Sequence, residues 1–354
     1  MKKIRILAII LGLLGLVLIS SFIYYEYNAS PVDKSSDAKI EVVIPSGMST
    51  DNIAITLYDK GLIKSKFFFK IYLKLNNASS LKASTYLLSK NMTMEEIVKV
   101  LESGNSENGD VINLTFKEGQ NIRDYANIIE ENTSITADTF LAKVKDTNFL
   151  NQLISEYWFL TEDILNPEIY YPLEGYLFPD TYQFVKTDLT SEDIIRTLLD
   201  EEEKKLSSYK EALSNSNIHS IITLASMAEL EGVKDEDRKL IVSVFNNRLN
   251  RGMNLGSDVT TYYAFNEAMD SDLTTEMFNT YNPYNTRSAE MAGRLPVGPI
   301  CNPSLSSIEA AINPTDSDYL YFVADKNRNV YFTMSASEHE EKVAELKENG
   351  DWIW

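Results

Sequence analysis

Apolar residues run unbroken by any charge over 18 positions, from Ile6 to Ile23, and afterwards come only in short groups. As a helix such a run is about 27 Å long, enough to cross the hydrocarbon of a bilayer. Lys2, Lys3 and Arg5 precede it and Tyr24, Tyr25 and Tyr27 follow, which are the flanks of a spanning helix with its N-terminus inside. A cleaved signal peptide has a shorter apolar stretch ending in small residues, and this segment lacks them. The pattern predicts a cytoplasmic segment at 1–5, a transmembrane helix at 6–25 and a small, polar linker at 26–39, with the remainder outside the cytoplasm.

From residue 40 the spacing changes to that of short strands and amphipathic helices. A strand at 40–44, a turn at 45–47, helices at 49–60 and 66–75, a returning strand at 83–88 and a helix at 93–102 form a small unit spanning 40–110. Strand, glycine turn and helix then recur about 72 residues later, at 111–116, Lys117 to Gly119 and 122–131, as in a weak internal duplication. Further acidic helical sequence to 165 makes 111–165 a second such unit or a connecting subdomain of a larger domain, 111–354. The expected fold class is therefore α+β.

The larger domain centres on a helix from Asn217 to Gly232 with apolar residues on every face, the mark of a buried helix. After His219 its only ionisable side chains are Glu229 and Glu231. Glu229 continues the stripe of Ile222 and Ala225, and Glu231 points about 200° away, over Leu224 and Met227. Either carboxyl, if desolvated, would titrate where a general acid is useful, and periodicity does not choose between them. Around this helix lie irregular segments rich in acids, amides, hydroxyls and aromatics: 172–182, 255–263, 284–287 and 294–303. A hairpin at 319–333 and a C-terminal helix at 336–347 complete the chain, His339 being expected in solvent.

Composition narrows the chemistry. With 33 Lys and Arg against 52 Asp and Glu the formal charge is −19, which excludes a protein that works by neutralising nucleic-acid phosphates. Outside residues 1–30 the balance is 30 basic to 51 acidic residues, or −21, so the few cations at the start act as an orientation signal. Cys301 is alone, and His219 and His339 are the only histidines, so disulfides, zinc and cofactor fingerprints play no part and carboxyl chemistry remains.

Seven segments occur in an order that resembles the YceG-like family of endolytic murein transglycosylases: 173–182, 224–231, 243–249, Leu255 to Asp258, Tyr284 to Thr286, 295–303 and 319–325. Ile44 to Gly47 with its following helix is similar to the LysM-like module that precedes the catalytic domain in that family. The resemblance implies a membrane-anchored lyase without cofactor or metal, which cuts nascent peptidoglycan strands between MurNAc and GlcNAc, leaves 1,6-anhydroMurNAc ends and limits strand elongation. It places the catalytic acid at the first glutamate of the pair, Glu229, and makes Glu174, Asp180, Tyr182, Asp258, Asn285 and Thr286 cleft residues for substrate. It also implies glycan strands, peptidoglycan synthases and division or elongation proteins as partners. The chain departs from the family at Val330, where a histidine is usual, and at Arg294. A non-catalytic glycan-binding or scaffold protein of the wall-synthesis machinery is the alternative.

Overall fold

The computed structural model describes residues 15–352, apart from 17–18, 46–47, 77, 79–80, 105–110 and 187. Most of the expected membrane helix, and the Ser46 and Gly47 turn, lie outside the described residues. Residues 19–29 are helical, and no helix among the described residues is long and apolar enough to cross a membrane. The chain divides into two compact units, one of residues up to Asn113 with Gln183–Asp188, the other of Leu114–Tyr182 with Leu189–Trp354.

In the first unit, β1 (Lys39–Ile44) pairs antiparallel with β2 (Ser84–Ser89), from Lys39 opposite Ser89 to Ile44 opposite Ser84. Alternation turns Val42 and Ile44 inward. They meet Leu57 of α1 (Thr50–Asp59), Phe69 of α2 (Lys66–Leu75) and Ile97 and Leu101 of α3 (Met94–Ser103). Ser49, Ser65 and Thr93 cap the three helices with their hydroxyls, and Glu96 completes a capping box with Thr93. The predicted order of elements is thus the observed one. Residues 26–39, expected as a small, polar linker, make contacts with this unit at its start. Tyr25 packs edge-on against Phe68, Asn28 is 4 % exposed, and Lys64 Nζ donates to Tyr27 O and Ser30 Oγ, both at 2.8 Å. Polar composition alone does not show such contacts.

The supposed duplication is only partial. β3 (Val111–Thr115) is followed by a glycine turn and α4 (Ile122–Asn132), but its partner strand is β4 (Thr181–Val185), far along the chain. After α5 (Ala137–Val144), α6 (Thr147–Glu156), α7 (Ser191–Leu206) and α8 (Lys210–Ser214) comes α9 (Ile218–Glu231), in which every residue from Ile222 to Ala228 is buried. α10 (Asp235–Asn250), α11 (Asp258–Phe265) and α13 (Leu305–Ile312) pack around it, with the short α12 (Thr275–Asn279) beside α11. A helix apolar on all sides has no other stable place than this centre.

The C-terminal hairpin pairs β5 (Tyr321–Ala324) with β6 (Val330–Thr333). α14 (Ala336–Glu348) lies against it. His339 is half-buried with its ring stacked on Tyr321, centroids 5.4 Å apart, rather than in open solvent.

Candidate active site

The last turn of α9 presents two carboxyls to different surroundings. Glu229 lies among donors: Arg238 Nη2 reaches Oε1 at 3.0 Å, while Oε2 accepts from Ser304 N at 2.9 Å, Ser304 Oγ at 2.5 Å and Ser307 Oγ at 2.6 Å. Its side chain is 7 % exposed and that of Arg238 is 11 % exposed. Arg238 also donates through Nε to Gly232 O, the residue that closes α9, and through Nη1 to Ser306 Oγ. Because Ser304 is the N-cap of α13 and Arg238 belongs to the first turn of α10, this carboxylate ties three helix ends together.

The turn from Lys117 to Gly119 closes one side of this cage. Gly119 has φ +77°, and a Cβ there would lie 3.3 Å from Leu230 Cδ2 and 3.8 Å from Glu229 Cγ. Glu118 beside it is raised above the usual carboxylate range by desolvation and then by the charge of Glu229.

Glu231 has one donor. Ser257 Oγ binds Oε1 at 2.6 Å, and Oε2 makes no hydrogen bond among the described residues. The residue is half-buried. Desolvation raises its carboxyl to about 7, with the nearby Asp258 charge adding to the rise and Ser257, Arg248 and Arg287 opposing it. A carboxylate in the last turn also faces the negative end of the helix dipole.

Ser257 owes its position to residues expected in a cleft. Thr286 and Asn285 are fully buried. Thr286 Oγ1 accepts from Ser257 N at 3.1 Å and shares a bond of 2.8 Å with Thr260 Oγ1, while Gly256 N donates to Thr286 O. Asn285 Oδ1 accepts from Thr261 Oγ1, and its amide donates to Met277 O and Thr280 O. With no exposed atoms to offer a sugar, the two residues act as pegs that hold the Ser257 loop. Asp258 is exposed and pairs with Arg287 Nη1 at 2.6 Å.

Glu174 likewise departs from its expected place. It is 1 % exposed and accepts from Ile122 N at the start of α4, from Tyr263 Oη at 2.9 Å and from the Asn302 amide at 3.4 Å. Desolvation raises it to about 8. It is an internal strut, because the Leu173 to Tyr176 turn carries it inward. Tyr182 is 8 % exposed and donates to Phe178 O, and the exposed Asp180 accepts from Thr181 N as a turn cap at the head of β4. None of the three contacts Glu229 or Glu231 by hydrogen bond.

Sequence reasoning passed over Arg238, Ser304 and Ser307, which stand 9, 75 and 78 positions from Glu229. Only Ser304 carried a signal, as a serine preceding an apolar helix. Asn302, within the segment 295–303, accepts from Gly175 N and Leu177 N through Oδ1 and so joins that segment to the Glu174 turn. His219 is held by Tyr176 Oη at 2.8 Å and Val297 O at 2.9 Å, beside a cavity of about 380 Å³ that neither glutamate lines. Cys301 is fully buried, its thiol donating to Ser226 O.

Residues 42–345 match the model of the YceG-like family. The chain belongs to the YceG-like family. The resemblance carried by the seven segments is thereby borne out. Among YceG-like relatives, the endolytic murein transglycosylase of Bacillus subtilis is 37 % identical over 92 % of this chain and 89 % of its own length. That of Streptococcus pneumoniae is 36 % identical over 94 % of this chain, which spans 63 % of that longer protein. The crystal structure of a YceG-like protein from Listeria monocytogenes superposes with a TM-score of 0.61 at 36 % identity, covering 86 % of this chain and 99 % of the other.

Proposed function

We propose that this chain is a membrane-anchored lytic transglycosylase that cuts nascent peptidoglycan strands from within and so limits their elongation. The names of its relatives supply the substrate class, and the geometry at the end of α9 supplies the chemistry. The observation that carries the assignment is the contrast between the two carboxyls. Glu231 has one oxygen pinned by Ser257 and the other without a partner among the described residues, and burial keeps a large fraction of it protonated near neutrality. Glu229, the acid implied by resemblance, has both oxygens engaged by Arg238, Ser304 and Ser307. Those bonds must break before it transfers a proton outward. The geometry therefore favours Glu231 as the proton donor, with Glu229 as the anchor that holds it.

In this reading Glu231 protonates the oxygen between MurNAc and GlcNAc as the bond from C1 to that oxygen breaks. Its carboxylate, steadied by Ser257, then takes the proton of the MurNAc C6 hydroxyl while O6 bonds to C1. The products are a GlcNAc hydroxyl and a 1,6-anhydroMurNAc end, no water is consumed, and the acid returns protonated. One carboxyl serves both steps, unlike the paired acids of hydrolases.

Anchorage is proposed through residues 6–25 with the N-terminus in the cytoplasm. The described part of that segment supports it: Leu16, Ile19, Phe22 and Ile23 are 59–65 % exposed, an apolar surface suited to lipid. Peptidoglycan synthases and division or elongation proteins are the partners this role would need. The test is digestion of purified uncrosslinked strands by the full-length protein in detergent, with mass spectrometry of the ends. AnhydroMurNAc ends from wild type and from Glu229→Gln, and none from Glu231→Gln, support the whole reading. Cleavage lost only in Glu229→Gln returns the acid role to Glu229. Reducing MurNAc ends convert the reaction to hydrolysis, and strand binding without cleavage leaves a scaffold.

A further inference from the structure

Arg287 stands beside the proposed acid and has no part in the chemistry just described. Three contacts fix its guanidinium. Nη1 donates to Asp258 Oδ1 at 2.6 Å, the same nitrogen lies 3.5 Å from Gly256 O, and the group sits over the Phe278 ring, 4.4 Å from its centroid. Asp258 and Gly256 flank Ser257, the donor to Glu231, and Thr286, the residue before Arg287, pegs the same loop. The guanidinium thus occupies a set place next to Glu231, whose charged form it favours.

What the contacts leave over is specific. Nε and Nη2 make no hydrogen bond among the described residues, and these two nitrogens form the edge whose parallel N–H groups match the two oxygens of a carboxylate. The side chain is 38 % exposed, so it is open to solvent in part. Ring stacking and the Asp258 bond take away the rotamer freedom that an exposed arginine otherwise loses on binding. In a chain of formal charge −19, Arg287 is with Arg248 one of two cations whose charge acts on the acid.

We propose that the Nε and Nη2 edge of Arg287 binds a carboxylate carried by the MurNAc residue of the strand, making Arg287 a specificity residue. The inference rests on the transglycosylase reading above. Two sources offer that group: the lactyl carboxylate itself, free where the peptide has been removed, and the carboxylates of an attached peptide stem. Both are anions borne by the sugar whose C1 reacts, so binding them orients the bond to be cut towards Glu231.

The test compares kcat/KM of the full-length protein, Arg287→Lys and Arg287→Gln on four strand preparations: peptide-free, peptide-bearing, and each of these with its carboxylates converted to neutral amides. Each variant is assayed at its own pH optimum, which removes the effect of Arg287 on the titration of Glu231. The expected result is a preference of wild type for carboxylate over amide of at least tenfold, expressed in KM. It falls below threefold in Arg287→Gln and to an intermediate value in Arg287→Lys, which keeps the charge without the fork. Loss of the preference on peptide-free strands identifies the lactyl carboxylate, and loss only on peptide-bearing strands identifies the stem. Equal carboxylate-to-amide ratios in wild type and Arg287→Gln overturn the proposal. Absence of cleavage of every strand by wild type instead defeats the enzymatic reading on which it rests.

Discussion

Two residues apart on α9, Glu229 and Glu231 are chemically identical side chains in opposite situations. Glu229 meets a guanidinium, a backbone amide and two hydroxyls, whereas Glu231 meets one hydroxyl and a desolvating wall. A buried charge whose partners are all supplied is structural, since removing it strands those partners. A buried carboxyl with too few donors keeps its proton and an open oxygen, which are the requirements of acid catalysis. The number of donors, more than burial, separates the two proposed roles.

The comparison breaks most sharply at the two acids themselves. Glu231→Gln should lower strand cleavage about 10³-fold, the scale of a lost general acid, with cooperative unfolding kept. Glu229→Gln should retain at least about a tenth of the cleavage, on the low side of losses expected from misplacement, while denaturant unfolding shows a loss on the order of 3 kcal/mol from the stranded Arg238. Exchange of those two outcomes would exchange the roles.

The strut at Glu174 extends the comparison to a desolvated carboxyl without an open face. Its pKa is about 8 when folded, against the ordinary glutamate value of 4.5 when unfolded. Between those values the folded state holds a proton that the unfolded state has lost, so stability falls as pH rises from about 4.5 to about 8 and is level beyond. The total for this group is on the order of 5 kcal/mol. Urea unfolding at pH 5 and pH 8 measures it, and Glu174→Gln should remove that share of the slope. Glu231 contributes in the same direction up to about 7. Cleavage should therefore fade as pH rises through that value.

Smaller effects test the scaffold behind Glu231. Thr286→Val, which leaves Ser257 N without its acceptor, should cost roughly 1–3 kcal/mol and lower kcat more than it raises KM. Ser257→Ala removes a donor to the charged carboxylate. It should move the alkaline limb of the pH profile upward, at a stability cost of about 1 kcal/mol. A profile that stays in place would detach Ser257 from the acid.

Much of the fold was legible because its causes are local. Serine and threonine caps, glycine stops and the two periodicities place α1, α2, α3, β1 and β2 nearly where they occur, and the unbroken apolar surface of α9 announces its central position. The contacts of residues 26–39 and the partner of β3 were not legible because docking and strand pairing depend on surfaces brought from elsewhere. Of the segments chosen for chemistry, 255–263 and 284–287 meet Glu231 through Ser257, whereas 172–182 meets α9 near its start, at His219 and Ile222. Their polar residues divide between exposed Asp258 and Arg287 and the buried pegs Asn285 and Thr286, a division that composition does not encode.

Sequence by itself determined the family, the α+β class and the pair of acids on one helix, since helical spacing dictates the directions in which Glu229 and Glu231 leave that helix. Tertiary structure alone decided what waits in each direction. The donors around Glu229 come from positions 9 to 78 residues away and the single donor to Glu231 from 26 away. Proton affinity is a property of that assembled surrounding, so two equal side chains on one turn acquire unequal work.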